Sequence, residues 1–253
     1  MKRILLMVLR LIYIAPYYLY RIWKYGKQKP VDYEAAFAYI QKVTRHANKA
    51  GRVTIEVYGE ENVPAESGYI FFPNHQGMFD VLVFLATAKQ PFSFVLKKEV
   101  SNIILLKQVI AALGALPMDR EDIRQSMQVI NHMSEEVKAG RNFLIFAEGT
   151  RSKKGNELLE FKGGSFKSAQ KAKCPIVPCA LIDSFVPFDK KTIHPVTVQL
   201  HYLQPMYYEE YKNMKTTEIA AEVKRRIEEK ITSVFEPFEA AKNISEVKSL
   251  LPL

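Results

Sequence analysis

Residues 69–89 read YIFFPNHQGMFDVLVFLATAK, and the way this stretch divides decides the fold. Residues 69–74, YIFFPN, are a short run of aromatic and β-branched side chains closed by Pro73 and Asn74, which reads as a buried strand. Residues 78–89 are a longer apolar run and read as a buried helix. The polar residues Asn74, His75 and Gln76 and the turn-former Gly77 lie at the join.

The same alternation extends in both directions. Upstream, residues 53–59 read as a strand. They follow an amphipathic helix with an acidic start at Asp32, apolar positions Phe37, Ile40, Val43 and Ala47, and a stop at Gly51. Downstream, residues 92–99 are a strand, 102–113 a helix ending at Gly114, 116–119 a short extended piece, and 121–139 a helix with Ile123, Met127, Ile130 and Val137 on one face. A strong strand over 142–149 follows, then a short helix over 164–172, strands over 175–182 and 196–203, and a last helix carrying Ile219, Val223, Ile227 and Ile231 on one stripe. This pattern predicts the α/β class: a mixed, largely parallel sheet flanked by helices. Internal repeats and low-complexity tracts are absent.

The chain has 253 residues, 48% of them apolar, and a net charge of +9. Seven cations and no acid fall in residues 1–30, while the other 223 residues hold 29 basic against 27 acidic side chains. A main body of only +2 argues against nucleic acid as a partner. The N-terminus, MKRILLMVLRLIYIAPYYLYRIWKYGKQKP, mixes apolar bulk, aromatic residues and cations suited to an anionic lipid surface. Arg10 and Pro16 interrupt the apolar run, and residues 4–15 would reach only about 18 Å as a helix. A span needs about 20 apolar residues, so the expectation is a membrane-attached helical pair lying at the interface. Residues 1–50 are expected to form this attachment and residues 51–253 the α/β domain, at the cytoplasmic face of the cell membrane, peripheral or monotopic. Cys174 and Cys179, beside two prolines in an apolar stretch, suit neither a disulfide framework nor a zinc site, and no metal is expected.

His75 and Asp80 are the first chemical candidates. Five residues apart on a helix means about 140° around the axis, and on a strand it means opposite faces. Only a turn brings the two together. Gly77 supplies one, and Asp80 then enters the first helical turn, where a carboxylate is favoured. A carboxylate on one imidazole nitrogen fixes the tautomer and leaves the other nitrogen free to take a proton. A second candidate is residues 146–152, FAEGTRS, where Arg151 offers a fork of donors to phosphate; taken alone it also reads as a polar loop with a surface arginine. Residues 114–120, GALPMDR, read equally as helix stop, short strand and a cap at Asp119. Lys97 and Lys98 are solvated charges or phosphate partners.

In order, NHQGMFD, GALPMDR, FAEGTRS and CPIVPCAL resemble the four blocks of the 1-acyl-sn-glycerol-3-phosphate acyltransferases, a family of glycerolipid acyltransferases. The resemblance covers residues 73–181. Its second block departs at Pro117-Met118, where an aromatic and an aliphatic residue are more usual, and this bears on the acceptor more than on the reaction. The resemblance implies that His75 and Asp80 are the catalytic pair and that Asn74, Lys97, Arg120, Glu148, Gly149, Thr150 and Arg151 bind substrate. It implies transfer of a fatty acyl group from an acyl thioester, of coenzyme A or acyl carrier protein, to the sn-2 hydroxyl of 1-acyl-sn-glycerol 3-phosphate, giving phosphatidic acid. No bound cofactor is implied. His75 would take the hydroxyl proton and no acyl-enzyme would form, which leaves Cys179 a packing residue. The alternatives are an acyltransferase for another glycerol-phosphate or lysophospholipid acceptor, and a non-catalytic membrane lipid-binding protein. A hydrolase would need a nucleophile elbow, and no G-x-S-x-G occurs.

Overall fold

The structure, a computed structural model, describes residues 2–250. Helices α1 (Lys2–Leu11), α2 (Ala15–Lys27) and α3 (Tyr33–Ala50) precede β1 (Val53–Tyr58). Then come β2 (Ile70–Pro73), α4 (Asp80–Thr87), β3 (Phe92–Lys97), α5 (Ile104–Leu113), β4 (Leu116–Met118), α6 (Ile123–Lys138) and β5 (Asn142–Leu144). The chain finishes with α7 (Lys167–Ala172), β6 (Ile176–Ile182), α8 (Val186–Asp189), β7 (Val196–Tyr202), α9 (Tyr208–Tyr211) and α10 (Thr216–Leu250).

The strands form one sheet in the order β1-β7-β6-β2-β5-β3-β4. All pairs are parallel except β6 with β7. The expected mixed, largely parallel sheet is therefore present. Central strands β2 and β6 are buried at every position, as two covered faces require. Edge strand β1 instead alternates, with Thr54, Glu56 and Tyr58 exposed. Phe71, Leu144, Val177 and Leu181 point to one face and pack with Phe37 and Ile40 of α3 and Phe84 of α4. Ile70, Phe143, Ile176 and Ile182 point to the other, against Ile130 and Met133 of α6 and Ile219, Val223 and Ile227 of α10.

Two sequence expectations change. The strand expected over 142–149 ends at Leu144. Ile145 N still donates to Phe71 O at 3.1 Å, but the next rung needs an N–H from Pro73, which has none. The cap of α6 is Asp122, whose carboxylate accepts from Arg124 N and Gln125 N; Asp119 lies outside the helix, accepts from Glu121 N and pairs with Lys98. Ile22, Phe37 and Ile40 share one buried cluster with Phe71 and Phe92.

The N-terminal pair bends by 92° between α1 and α2, and no single described helix is long and apolar enough to cross a membrane. Both helices have two faces. Leu5, Val8 and Leu9 line the outer stripe of α1, with Ile12 in the turn just after it, and all four are half-exposed, at the i, i+3, i+4 spacing of one helix side. Arg3 and Met7 line the inner one and are buried. Arg3, expected among the cations facing lipid, has no solvent exposure. Its guanidinium donates to the carbonyls of Pro187 (3.1 Å), Gly51, Thr192 (3.3 Å) and His194 (2.8 Å). Arg10 likewise donates to Ala50 O at 3.0 Å.

Arg3→Ala leaves five carbonyls, Arg52 O among them, without their charged donor, and a hydrogen bond to a charged group contributes a net of about 1.5–3 kcal/mol. We expect it to lower the unfolding free energy by about 2–4 kcal/mol, read from the urea midpoint in detergent, with Arg3→Lys recovering only part because it lacks the fork.

Candidate active site

The carboxyl ends of β2, β5 and β6 lie side by side, and the order of the chain reverses around β2, the position where open α/β sheets place their sites. After Pro73 the chain leaves β2 and re-enters regular structure at Asp80, the first residue of α4. The Asp80 carboxylate turns back on the loop and accepts from Gln76 N (2.6 Å), Gly77 N (3.0 Å) and His75 Nδ1 (2.7 Å). A fourth donor, the Ser184 hydroxyl, comes from the turn after β6. Asp80 has no solvent exposure. A buried charge of this kind persists only when it is fully hydrogen-bonded. Gly77 is required by close approach rather than by an unusual backbone angle, since a Cβ there would stand 3.0 Å from Phe185 Cα.

The His75 ring stacks on Phe146, centroids 4.0 Å apart at 20°, and its side chain is 16% exposed. With Nδ1–H committed to Asp80, Nε2 is the ring nitrogen free to accept a proton, and it makes no hydrogen bond among the described residues. The backbone of His75 is held as tightly as its ring. His75 N donates to Glu148 Oε1 at 2.6 Å, and Ser152 N donates to His75 O at 2.9 Å. The FAEGTRS loop thus grips the His75 loop from both sides.

Several residues expected to bind substrate turn inward. Glu148 is 2% exposed, and its second oxygen accepts from Leu159 N at 3.0 Å. Its observed work is to hold His75. Burial pushes its carboxyl up to about 7, against the two backbone N–H donors that favour the ionised form. Asn74 is also buried, its amide exchanging bonds of 3.0 and 2.7 Å with the backbone of Leu181. It joins β2 to β6. Arg120 donates to Gly149 O. Gly149 has φ +72°, and a Cβ there would meet Lys162 Nζ at 3.0 Å. Thr150 is exposed on the same loop, and Arg151 forms no ion pair among the described residues. Lys97 stands half-exposed at the end of β3, paired with Glu99 at 2.7 Å. The open cationic rim is therefore Lys97 and Arg151, with Arg120 and Lys162 gathered around Gly149.

Sequence reading missed Gln76, Asn156, Asp183 and Ser184. Gln76 bonds Leu181 O (2.9 Å), Asn156 (2.7 Å) and Ser184 N (2.9 Å), and Asn156 bonds Asp183 (2.9 Å). No local spacing signals them, because their partners lie 27 to 108 positions away. Cys179 is fully buried in β6 with its thiol near Val177 O at 3.4 Å. Burial pushes that thiol well above its ordinary value, so it is a poor nucleophile. No group of three potential metal ligands occurs among the described residues.

A family model described as Acyltransferase matches residues 54–182. A 1-acyl-sn-glycerol-3-phosphate acyltransferase of Borreliella burgdorferi is 32% identical over 52% of this chain and 52% of its own length. The enzyme of that name from Escherichia coli is 28% identical over 65% of this chain and 67% of its own. The chloroplastic one from Brassica napus is 32% identical, and there the matched stretch spans 37% of the relative. Among solved structures, the 1-acyl-sn-glycerophosphate (LPA) acyltransferase PlsC of Thermotoga maritima superposes with a TM-score of 0.70 at 25% identity, covering 90% of this chain and 95% of that one.

The raised carboxyl of Glu148 has a consequence for stability. Between its ordinary value of 4.5 and about 7 the folded state holds a proton that the unfolded state has released, so stability falls as pH rises through this window and is level above it. Glu148→Gln should flatten that decline, which we put at about 1–3 kcal/mol, in urea unfolding compared at pH 5 and pH 7.5.

Proposed function

The chain belongs to the acyltransferase family whose model covers residues 54–182, and on that premise we propose that it transfers a fatty acyl group from a thioester to the sn-2 hydroxyl of 1-acyl-sn-glycerol 3-phosphate, giving phosphatidic acid. The observation that carries the reading is the His75–Asp80 pair at 2.7 Å beside a cationic rim, in a fold shared with a solved acyltransferase of that name. His75 Nε2 takes the proton of the acceptor hydroxyl as its oxygen attacks the thioester carbonyl. The new C–O bond forms, the C–S bond breaks, and the thiol leaves with the proton His75 holds. Asp80 keeps the imidazole in the needed tautomer and supports the imidazolium. Arg151, with Lys97 and Arg120 near it, receives the acceptor's phosphate, for which forked, charge-assisted donors are suited. The donor is an acyl-coenzyme A or acyl-acyl carrier protein, and an assay with both thioesters distinguishes them.

His75→Ala should reduce turnover by about 10² to 10⁴ while leaving the unfolding midpoint near that of the parent, measured by mass spectrometry of the phosphatidic acid formed. Cys179→Ala is the control and should keep most of the activity. A lipid-binding protein without catalysis would be indifferent to His75.

The outer stripes of α1 and α2, including Leu5, Leu9, Ile12, Tyr20 and Trp23, are the surface we assign to the bilayer, at the cytoplasmic face. Lys2, Lys24 and Lys27 add positive charge beside them. Replacing Leu5, Leu9 and Ile12 together by serine spares the inner contacts of Arg3 and Met7. It should weaken binding to anionic vesicles at least about tenfold, since each buried aliphatic side chain contributes about 1.5–3 kcal/mol, as read by flotation.

A further inference from the structure

We propose that Ser184 is a positioning residue of the reaction, a third member of the His75–Asp80 relay supplied from the turn after β6. It rests on the acyl-transfer reading above and extends it to a residue outside the FAEGTRS and NHQGMFD stretches.

The geometry is specific. Ser184 has no solvent exposure, and its hydroxyl donates to Asp80 Oδ1. That is the carboxylate oxygen away from the imidazole, which bonds Oδ2. Gly77 N is shared between the two oxygens, at 3.1 Å from Oδ1 and 3.0 Å from Oδ2, so without Ser184 the far oxygen would keep only half of one donor and the carboxylate could pivot about its own Cβ–Cγ bond. A donor on the far oxygen stops that pivot and thereby sets the ring plane of His75. The hydroxyl also draws negative charge toward Oδ1 and away from the oxygen that meets the imidazole.

The turn that delivers Ser184 is itself built to do so. Asp183 sits at φ +59°, a left-handed conformation uncommon for a residue with a side chain. It is held there by Asn156, whose Oδ1 accepts from Asp183 N at 2.9 Å while Nδ2 donates to Asp183 Oδ1 at 2.9 Å. Gln76, the residue after the catalytic base, accepts from Ser184 N at 2.9 Å and donates to Asn156 at 2.7 Å. Backbone strain is retained where surrounding contacts over-determine it, and such places cluster at functional sites. Ordinary packing would need neither a left-handed aspartate nor a chain of side-chain amides, Gln76 to Asn156 to Asp183, holding the turn that carries the Ser184 hydroxyl.

The test uses the full chain in detergent, with lysophosphatidic acid and an acyl thioester. Ser184→Ala removes one oxygen and leaves the Ser184 N to Gln76 bond in place. It should lower kcat about tenfold with both KM values within about twofold, and move the acidic limb of the kcat profile to higher pH. Observed directly by NMR of the imidazole ring, the titration of His75 should move in the same direction. Ser184→Cys, of nearly the same shape but a weak donor, should shift both readings the same way. Parental kcat and an unmoved His75 titration in the two variants would overturn the proposal, as would a loss carried by KM or by unfolding alone. The titration is read without turnover, so a protein that fails to acylate lysophosphatidic acid refutes the acyl-transfer reading while the role of Ser184 is still decided.

Discussion

The carboxylate of Asp80 has no contact with water, and the local architecture follows from that single constraint. An ion in such a place is tolerated only with donors on both oxygens. Those donors come from His75, Gln76, Gly77 and Ser184, so satisfying one charge ties the strand-to-helix loop to the turn after β6. Meeting the electrostatic demand of Asp80 also orients His75, and the positioning of the imidazole and the stability of the site become one problem. Glu148 repeats the device one layer out, holding the His75 and Leu159 backbone with a second buried carboxyl.

Sheet order makes this economy possible. Insertion of β5 on one side of β2 and β6 on the other sets three strand ends in contact, each followed by an irregular segment that regular secondary structure would not allow. Pro73 ends the β2 ladder toward β5, which frees residues 145–148 to curve under the imidazole and lets Phe146 stack on it. Asn74 closes the other side by pairing with Leu181 as an extra rung of backbone-like bonds.

The N-terminal helices extend the same core rather than hang from it. Arg3 binds carbonyls of three separate segments, and Ile22 shares a cluster with sheet residues. Their outer stripes expose leucine, isoleucine, tyrosine and tryptophan side chains in a contiguous patch of the kind that marks an interaction surface. A rigidly docked apolar face fixes the height of the α/β body above whatever surface it meets.

Much of this was legible in the sequence because it depends on local period and composition. The alternation of strands and helices, the stripe of Ile219, Val223, Ile227 and Ile231, the αL stop at Gly114 and the turn that joins His75 to Asp80 follow from neighbours within a few residues, which is the range over which periodicity and turn chemistry operate. Motif order added the candidate loop at 146–152. What only the tertiary structure decided is direction and partnership. Asn74 and Glu148 look in sequence like polar residues offered to a ligand, yet they point inward, because buried backbone groups of Leu181, His75 and Leu159 need partners and these side chains are within reach. Arg3 looks like a lipid-facing cation and is instead buried on carbonyls. Ser184, 104 positions from Asp80, carries no local mark at all. The energy of leaving a buried polar group unpaired is set by three-dimensional neighbours, and no spacing along the chain encodes who those neighbours will be.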